Sequence, residues 1–283
     1  MTEHKTLPSK IAAQDMVIST AKRGSLVARG LAAMQNIART KDSRAVSAEE
    51  QYRRGLMHDH GTGVPQDFNE AVKWYRLAAE QGYAYAQFNL GAIYSEGEGV
   101  PQDNEEAMKW YRLAAAQGDA YAQVNLGAMY SNGHGVPQDY QEAVKWFRKA
   151  ADQGDADGQS NLGAMYDNGT GVPKDDDEAA KWYRLAAAQG NASAQYNLGV
   201  MYHNGHGVPQ DYDEASKWYQ LAANQGNDDA QFILGEMYRE GNGVPKDFDE
   251  SIRWCRLAAG QGHAKAKSRL ALLALFEELK GKL

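Results

Sequence analysis

The chain has 283 residues, a formal net charge of −7, a hydrophobic fraction of 43% and one cysteine. A single cysteine excludes an intrachain disulfide, and the absence of a run of about 18 apolar residues leaves no membrane-spanning helix to expect. The charge is unevenly divided: the segment up to Ser47 carries +5 and the remainder −12, so a phosphate backbone would be repelled and no nucleic-acid partner is expected.

Residues 1–46 form a basic N-terminal segment. Met1 to Asp15 is interrupted by Glu3, Lys5, Lys10 and Asp15, unlike the apolar centre of a secretory signal. Between Ser19 and Lys41 there are five cations and no acid, and Val27, Leu31, Met34 and Ala38 recur at helical spacing, which predicts an amphipathic basic helix. The expectation is a helix that shields the first repeat or a partly disordered stretch; mitochondrial targeting and docking to an acidic surface are the alternatives. A cytoplasmic location is expected, with mitochondrial targeting and export left open.

From residue 47 to residue 262 the chain repeats itself. Pro65, Pro101, Pro137, Pro173, Pro209 and Pro245 each follow a Gly-Val pair and are spaced by 36 residues, and all six tryptophans keep the same interval. A fixed period of this length marks a solenoid, whose units bury their apolar faces on their neighbours. The units are 47–82, 83–118, 119–154, 155–190, 191–226 and 227–262. In the first, Glu50, Arg54 and His58 replace the usual Ala, Leu and Tyr, which suits a polar end cap. Residues 263–283 begin like another first helix but run on through Leu270, Leu272, Leu273, Leu275 and Phe276, and are expected to close the C-terminal end of the core.

Within the unit 119–154, Ala122, Leu126, Met129 and Tyr130 fall on one side of a first helix, termed A. Gly133 is placed to end it in a left-handed conformation, and Pro137 discourages continuation. Asp139 and Glu142 mark the start of a second helix, B, and the same acid pair recurs in every unit. Helix B presents Ala143, Trp146, Phe147, Ala150 and Ala151 on one face, so the tryptophan ladder is expected to carry the core. Gly127 has no turn to explain it and costs about 1 kcal/mol against alanine; close packing against the alanines of helix B is the expected reason.

The pattern Ala-x-x-x-Leu-Gly-x-x-Tyr-x-x-Gly-x-Gly-Val-Pro-x-Asp, followed by Ala-x-x-Trp-Tyr-x-x-Ala-Ala-x-x-Gly, resembles the Sel-one-like repeat (SLR) family, relatives of the tetratricopeptide repeats. The resemblance implies an all-α fold: a right-handed α-solenoid of six 36-residue helix-turn-helix repeats with N- and C-terminal capping helices. It also implies a concave face lined by the A helices and a function in protein–protein contact. Some members hold each repeat with a cysteine pair and are secreted; this chain departs from that pattern.

No constellation of catalytic residues stands apart from the repeat's structural needs, so no enzyme activity, cofactor or metal site is expected. His58/His60 and His203/His206 read as surface histidines rather than ligands, and Asp175, Asp176, Asp177 and Glu178 lack the alternation of a calcium loop. The alternative is a hydrolase or penicillin-interacting enzyme of the kind proposed for cysteine-rich SLR proteins. Ser19-Thr20-Ala21-Lys22 offers it a Ser-x-x-Lys match without companion motifs. The preferred reading is a monomeric, non-enzymatic scaffold or adaptor that binds another protein or peptide segment on the concave face. The candidate binding residues lie opposite the core side of helix A, where aromatic residues look superfluous to packing: Tyr85, Phe88, Tyr121, Tyr196 and Phe232. A ladder of Asn89, Asn125, Asn161 and Asn197 lies at their edge and could bond a peptide backbone or simply join neighbouring helices.

Overall fold

The computed structural model describes residues 46–280, with side chains to residue 273. Six helical hairpins follow one another, each A helix preceding its B helix: α1 (Ala48–His60) and α2 (Phe68–Glu80), α3 (Ala84–Glu96) and α4 (Asn104–Ala116), α5 (Ala120–Asn132) and α6 (Tyr140–Asp152), α7 (Ala156–Asn168) and α8 (Asp176–Ala188), α9 (Ala192–Asn204) and α10 (Tyr212–Asn224), α11 (Asp228–Glu240) and α12 (Phe248–Gly260). A seventh first-type helix, α13 (Ala264–Lys280), follows. Among the described residues there is no strand. The basic stretch Ser19 to Lys41 lies outside the described residues. These residues divide into two compact units inside α7: an N-terminal unit up to Asn161 with Thr170–Val172, and a C-terminal unit of Leu162–Gly169 with Pro173 onward.

The third hairpin shows how the sequence dictates the form. Gly133 adopts φ 70° after α5, and the N–H groups of Gly133 and His134 both return to the carbonyl of Met129, satisfying an acceptor the helix end would orphan. The link is then tied down twice: Asp139 N–H donates to Tyr130 O at 2.9 Å, and the Gln138 side chain donates to Ser131 O at 2.7 Å. Asp139 caps α6 by accepting from the N–H groups of Gln141 and Glu142. Glu142 reaches forward to Lys145 at 2.5 Å, an exposed pair of small energetic weight.

Two expectations about the core are corrected. The small-residue seam is a ring-on-glycine contact. A Cβ placed on Gly127 would lie 2.5 Å from the Phe147 ring, and Gly55 and Gly91 meet Tyr75 and Tyr111 in the same way. In the C-terminal unit Gly163 meets Tyr183, Gly199 meets Tyr219, and Gly235 meets the smaller Cys255. The glycine lets a flat ring lie on the backbone of the A helix, which an alanine of helix B could not demand. The second correction concerns the tryptophans. Phe147 is 0% exposed, whereas Trp146 is only half-buried, as are Trp74 and Trp218; Trp110, Trp182 and Trp254 are buried. One residue on a helix is a turn of about 100°, so the residue after each tryptophan points at the A helix and the indole lies to its side. There it is covered by a cation: Lys149 Nζ sits 3.9 Å from the Trp146 ring.

In the first hairpin the replaced positions are polar and locally paired: Glu50 accepts from Arg54 at 3.3 Å. Arg53 pairs with Glu49 at 2.7 Å and Arg54 lies over Trp74, while Tyr52 and Leu56 point inward. At the other end, Ala266 of α13 is buried, but Leu272 is 60% exposed. The helix therefore covers the last hairpin along one edge while Leu272 stays in solvent.

Candidate partner-binding surface

A second ladder, absent from the sequence expectations, runs through the hairpins. The glutamine that follows each B helix donates to a glutamine of that hairpin's A helix, as in Gln81 to Gln51 at 2.6 Å, Gln117 to Gln87 at 2.7 Å and Gln153 to Gln123 at 2.8 Å. Gln87 and Gln123 in turn donate to the carbonyls of Ala79 and Ala115 in the preceding B helix. Each amide thus has both partners inside the fold, so this ladder joins hairpins and offers nothing to a ligand. The constant Gln-Gly after each B helix was its signal in the sequence.

The candidate binding residues separate by depth. In the N-terminal unit Tyr85 is 42% exposed and Tyr121 half-buried, both at the second position of an A helix. Phe88, by contrast, is 1% exposed and packs between Tyr111 at 5.8 Å and Tyr121 at 6.1 Å. In the C-terminal unit Tyr196 is likewise buried, against Tyr219, while Phe232 is half-buried and stacks on His263 at 4.8 Å. The expectation that this face is superfluous to the core is therefore corrected for Phe88 and Tyr196. The A helix α3 is covered by its own B helix, by the B helix of the preceding hairpin and, at Phe88, by Tyr121 of the next A helix, and residues Ala86 to Ile93 are buried without a break.

The asparagine ladder lies in the same sandwiched stretch. Asn89, Asn125, Asn161 and Asn197 are all buried, so the picture of an exposed amide edge is corrected as well. Asn89 is hydrogen-bonded to the Tyr52 hydroxyl, whose pKa burial, foremost, drives above the ordinary tyrosine range. Asn197 holds both amide atoms buried without a hydrogen-bond partner among the described residues.

On the A helices of the N-terminal unit, an accessible row lies at their leading ends. It begins with a tyrosine cluster: Tyr83 lies 5.1 Å from Tyr52 and 5.7 Å from Tyr85, and Tyr52 lies 6.2 Å from Tyr85. Tyr83 occupies the N-cap position of α3 but makes no side-chain cap bond, where Asp119 caps α5 and Asp155 precedes α7. That substitution of an aromatic for a capping residue was a visible signal. Burial raises the pKa of the Tyr83 hydroxyl, helped by Glu49 and Tyr85. The row continues through Asp119, Tyr121, Asp155 and Asp157. Burial also raises the carboxyl of Asp119, countered in part by the N–H groups of Ala122 and Tyr121 and reinforced by Asp155.

The C-terminal unit has its own accessible feature, a cleft of about 350 Å³ lined by Phe232, Ala264, Lys265, Ser268, Arg269 and Leu272. His263 organises one side of it. Its Nδ1 accepts from Ala266 N–H, so Nε2 carries the proton that is donated to Asp229 at 3.0 Å. Among the described residues no group of three or more His, Cys, Asp or Glu could hold a metal ion, and no helix is long and apolar enough to cross a membrane. The Ser19-Thr20-Ala21-Lys22 match lies outside the described residues.

Hairpins of constant length, joined by a buried amide ladder and bearing their variation on the ends of the A helices, define an α-solenoid of helical repeats. The Sel1 repeat matches residues 51–83, 84–119, 120–155, 156–191, 192–227 and 228–263, and the chain belongs to this family. Proteins of the family are in general repeat scaffolds that mediate protein–protein interaction. Among solved structures the chain is similar to c5321, a protective antigen of uropathogenic Escherichia coli strains with an SLR fold. The identity is 36% and the TM-score 0.74, over 93% of this chain and 59% of that one. It is also similar to a Sel1 repeat protein from Oxalobacter formigenes, at 39% identity and TM-score 0.73, over 80% of this chain and 66% of that one. The chain thus spans less than two thirds of the length of both relatives. No curated protein matches it.

Proposed function

We propose that this chain is a non-enzymatic scaffold that binds a segment of a partner protein along its A helices, on the face that the family resemblance makes concave. The observation that carries the reading is the tyrosine row of the N-terminal unit: Tyr83, Tyr85 and Tyr121 hold accessible rings at the ends of helices whose interiors are fully packed. Tyrosine supplies large, rigid contact area at low entropy cost, and rings left half in water by a well-packed repeat are the usual anchors of an interface. Phe88, Tyr196 and the asparagines act behind this surface, as the support that fixes its shape; Phe232 extends the accessible set in the C-terminal unit.

The test begins with partners captured by the full chain and identified by mass spectrometry. Hydrogen exchange on the complex then locates the contact. Protection is expected over residues 83–88 and 119–124 and not over the B helices. Replacing Tyr85 and Tyr121 together by alanine should weaken capture by about tenfold or more, while the melting curve stays within about 2 °C of the parent because both rings are accessible. A complex protected only on the B helices, or indifferent to both substitutions, would overturn the reading.

A further inference from the structure

α13 differs from the other A helices: among the described residues no B helix follows it, and its sequence departs from the repeat where a B helix would be seated. The glycine series that runs through Gly199 and Gly235 continues one period on at Ala271. Ala271 is exposed, and Leu272 beside it is 60% exposed. A helix that docked here as the B helices do, whether from a second copy of this chain or from any repeat of the same kind, would press its ring onto the Cβ of Ala271. At Gly127 such a Cβ would fall 2.5 Å from the ring. The open side of α13 is therefore not shaped to extend the stack.

Its charges are equally distinct. Residues 264–273 contain Lys265, Lys267 and Arg269 and no acid, whereas the matching stretches of α9 and α11, residues 192–201 and 228–237, contain no cation. Lys265 and Arg269 stand about one helical turn apart and both line the cleft described above, while Lys267 is turned about 200° from either and does not. The acids of α11 are engaged: Glu236 accepts from Arg239 at 3.1 Å and from Arg269 at 2.5 Å, and Asp229 bonds His263. Arg269 is half-buried, and a guanidinium has further N–H donors beyond the one given to Glu236. Lys265 is exposed and makes no hydrogen bond or ion pair among the described residues. In the first turn of α13 it also works against the helix dipole, so no contact within the fold calls for a cation there. Ser268 gives its proton to Ala264 O at 3.1 Å, which leaves the two cations as the donors of the cleft.

The rest of the lining, Phe232, Ala264 and Leu272, is apolar. At about 350 Å³ the cleft lies at the small end of the usual range for binding pockets, about 300–1,000 Å³, so it suits a few side chains of a peptide. A wholly apolar segment would cover Leu272 but desolvate Lys265 without a partner. A basic segment, the chain's own N-terminal residues included, would be repelled. A carboxylate against Lys265 and Arg269, with an apolar neighbour against Leu272, matches both kinds of group in the lining.

We propose that the cleft between α11 and α13 receives an acidic segment of another protein, an aspartate or glutamate side chain held by Lys265 and Arg269 and an adjacent apolar side chain seated against Phe232 and Leu272. This is a second site, beyond the scaffold reading above; it shares only Phe232 with that reading and does not depend on the tyrosine row.

The test uses a labelled dodecapeptide, blocked at both ends, in which glutamates flank a Phe-Leu pair in a Gly-Ser background. One counterpart changes the glutamates to glutamine and another changes the Phe-Leu pair to serine. Each is titrated into the full chain at about 50 mM salt, where screening is weak. The first peptide is expected to bind about tenfold or more tightly than either counterpart and to protect residues 264–273 from hydrogen exchange. Lys265→Gln and Leu272→Ser, both at exposed side chains, should each weaken it about fivefold or more, while the melting curve stays within about 2 °C of the parent. Lys267→Gln removes the same charge from the other side of the helix and should change affinity less than twofold or so.

Equal losses in Lys265→Gln and Lys267→Gln would reduce the effect to the overall charge of α13 and overturn the proposal, as would equal binding of the glutamine peptide or no measurable binding at all. Tyr85→Ala with Tyr121→Ala should leave the affinity unchanged; a loss there would move the binding to the tyrosine row and overturn the second site while leaving the scaffold reading intact. Sedimentation of the peptide-free chain over a range of concentrations completes the test. A dimer that Leu272→Ser dissociates would show that a second copy covers this face and would overturn the assignment to another protein; a monomer, or a dimer indifferent to Leu272→Ser, leaves the face free and supports it.

Discussion

Gly127→Ala isolates the contact on which each hairpin depends. The new Cβ would lie 2.5 Å from Phe147 Cε1 and 2.6 Å from Cδ1. An ordinary carbon–carbon contact is about 3.5 Å, so α5 and α6 would have to part by roughly 1 Å at a ring with no freedom to move aside. Overpacking of this kind costs about 1–3 kcal/mol, against a gain of about 1 kcal/mol from replacing glycine inside a helix. The single variant should therefore lose about 1–2 kcal/mol, at the upper end if neighbouring hairpins resist the separation. With Phe147→Ala the ring is gone, a loss of about 3–5 kcal/mol by itself, and adding Gly127→Ala in that background should stabilise by up to about 1 kcal/mol. The sign of one substitution is thus predicted to invert with its partner, a coupling that a double-mutant cycle measures directly. Because repeat arrays unfold in parts, local opening energies from hydrogen exchange at α5 and α6 are the proper readout. A stabilising Gly127→Ala in the parent chain would refute the ring-on-glycine account.

Trp146→Ala should cost less than Phe147→Ala, about 1–2 against 3–5 kcal/mol, since the indole is half in water; local exchange in α6 distinguishes them. Asp119→Asn should stabilise the chain near pH 7, because burial raises the folded carboxyl's pKa and the ionised form carries a penalty there. The gain should shrink as the pH falls through the folded pKa and vanish below the unfolded value of about 3.9, which melting curves across that range will show. Removing Gln123 by Gln123→Ala should cost about 1–3 kcal/mol, since Gln153 loses its acceptor and Ala115 its donor within a buried site. Incubation with a labelled β-lactam should leave no adduct on Ser19; a covalent product at that residue would establish the hydrolase alternative.

The period made the fold legible. Gly133, Pro137 and Asp139 act through backbone conformation and local hydrogen bonds, which depend only on neighbours in the sequence, so helix ends could be read six times over. What lies between two hairpins was not legible in the same way. The helical pattern puts Trp146 and Phe147 on the same broad face, and only the angle at which α5 crosses α6 decides which ring meets Gly127. The candidate site suffered from the same cause. Tyr85 and Phe88 are neighbours on one side of α3, yet the adjoining A helix lies across Phe88 and leaves Tyr85 at its margin. Asn125 read as a groove residue because its amide is polar; its position in the middle of a helix packed on two sides outweighs its chemistry. Tyr83 went unnoticed because it stands at a cap, where position in the repeat suggested a purely local role.

Cys255 fills the slot that a tyrosine or phenylalanine holds in the other hairpins; it is fully buried, and its thiol is pushed up to about 11, chiefly by burial. An exposed cysteine titrates near 8.5, so at pH 8 the folded thiol presents on the order of a hundredfold less thiolate than an opened one, besides being shielded from reagent. Alkylation of this one sulfur therefore times the opening of the last hairpin and no other. The rate at which label accumulates would report, with no engineered probe, how often the C-terminal end of the array comes apart, and whether a bound partner keeps it closed.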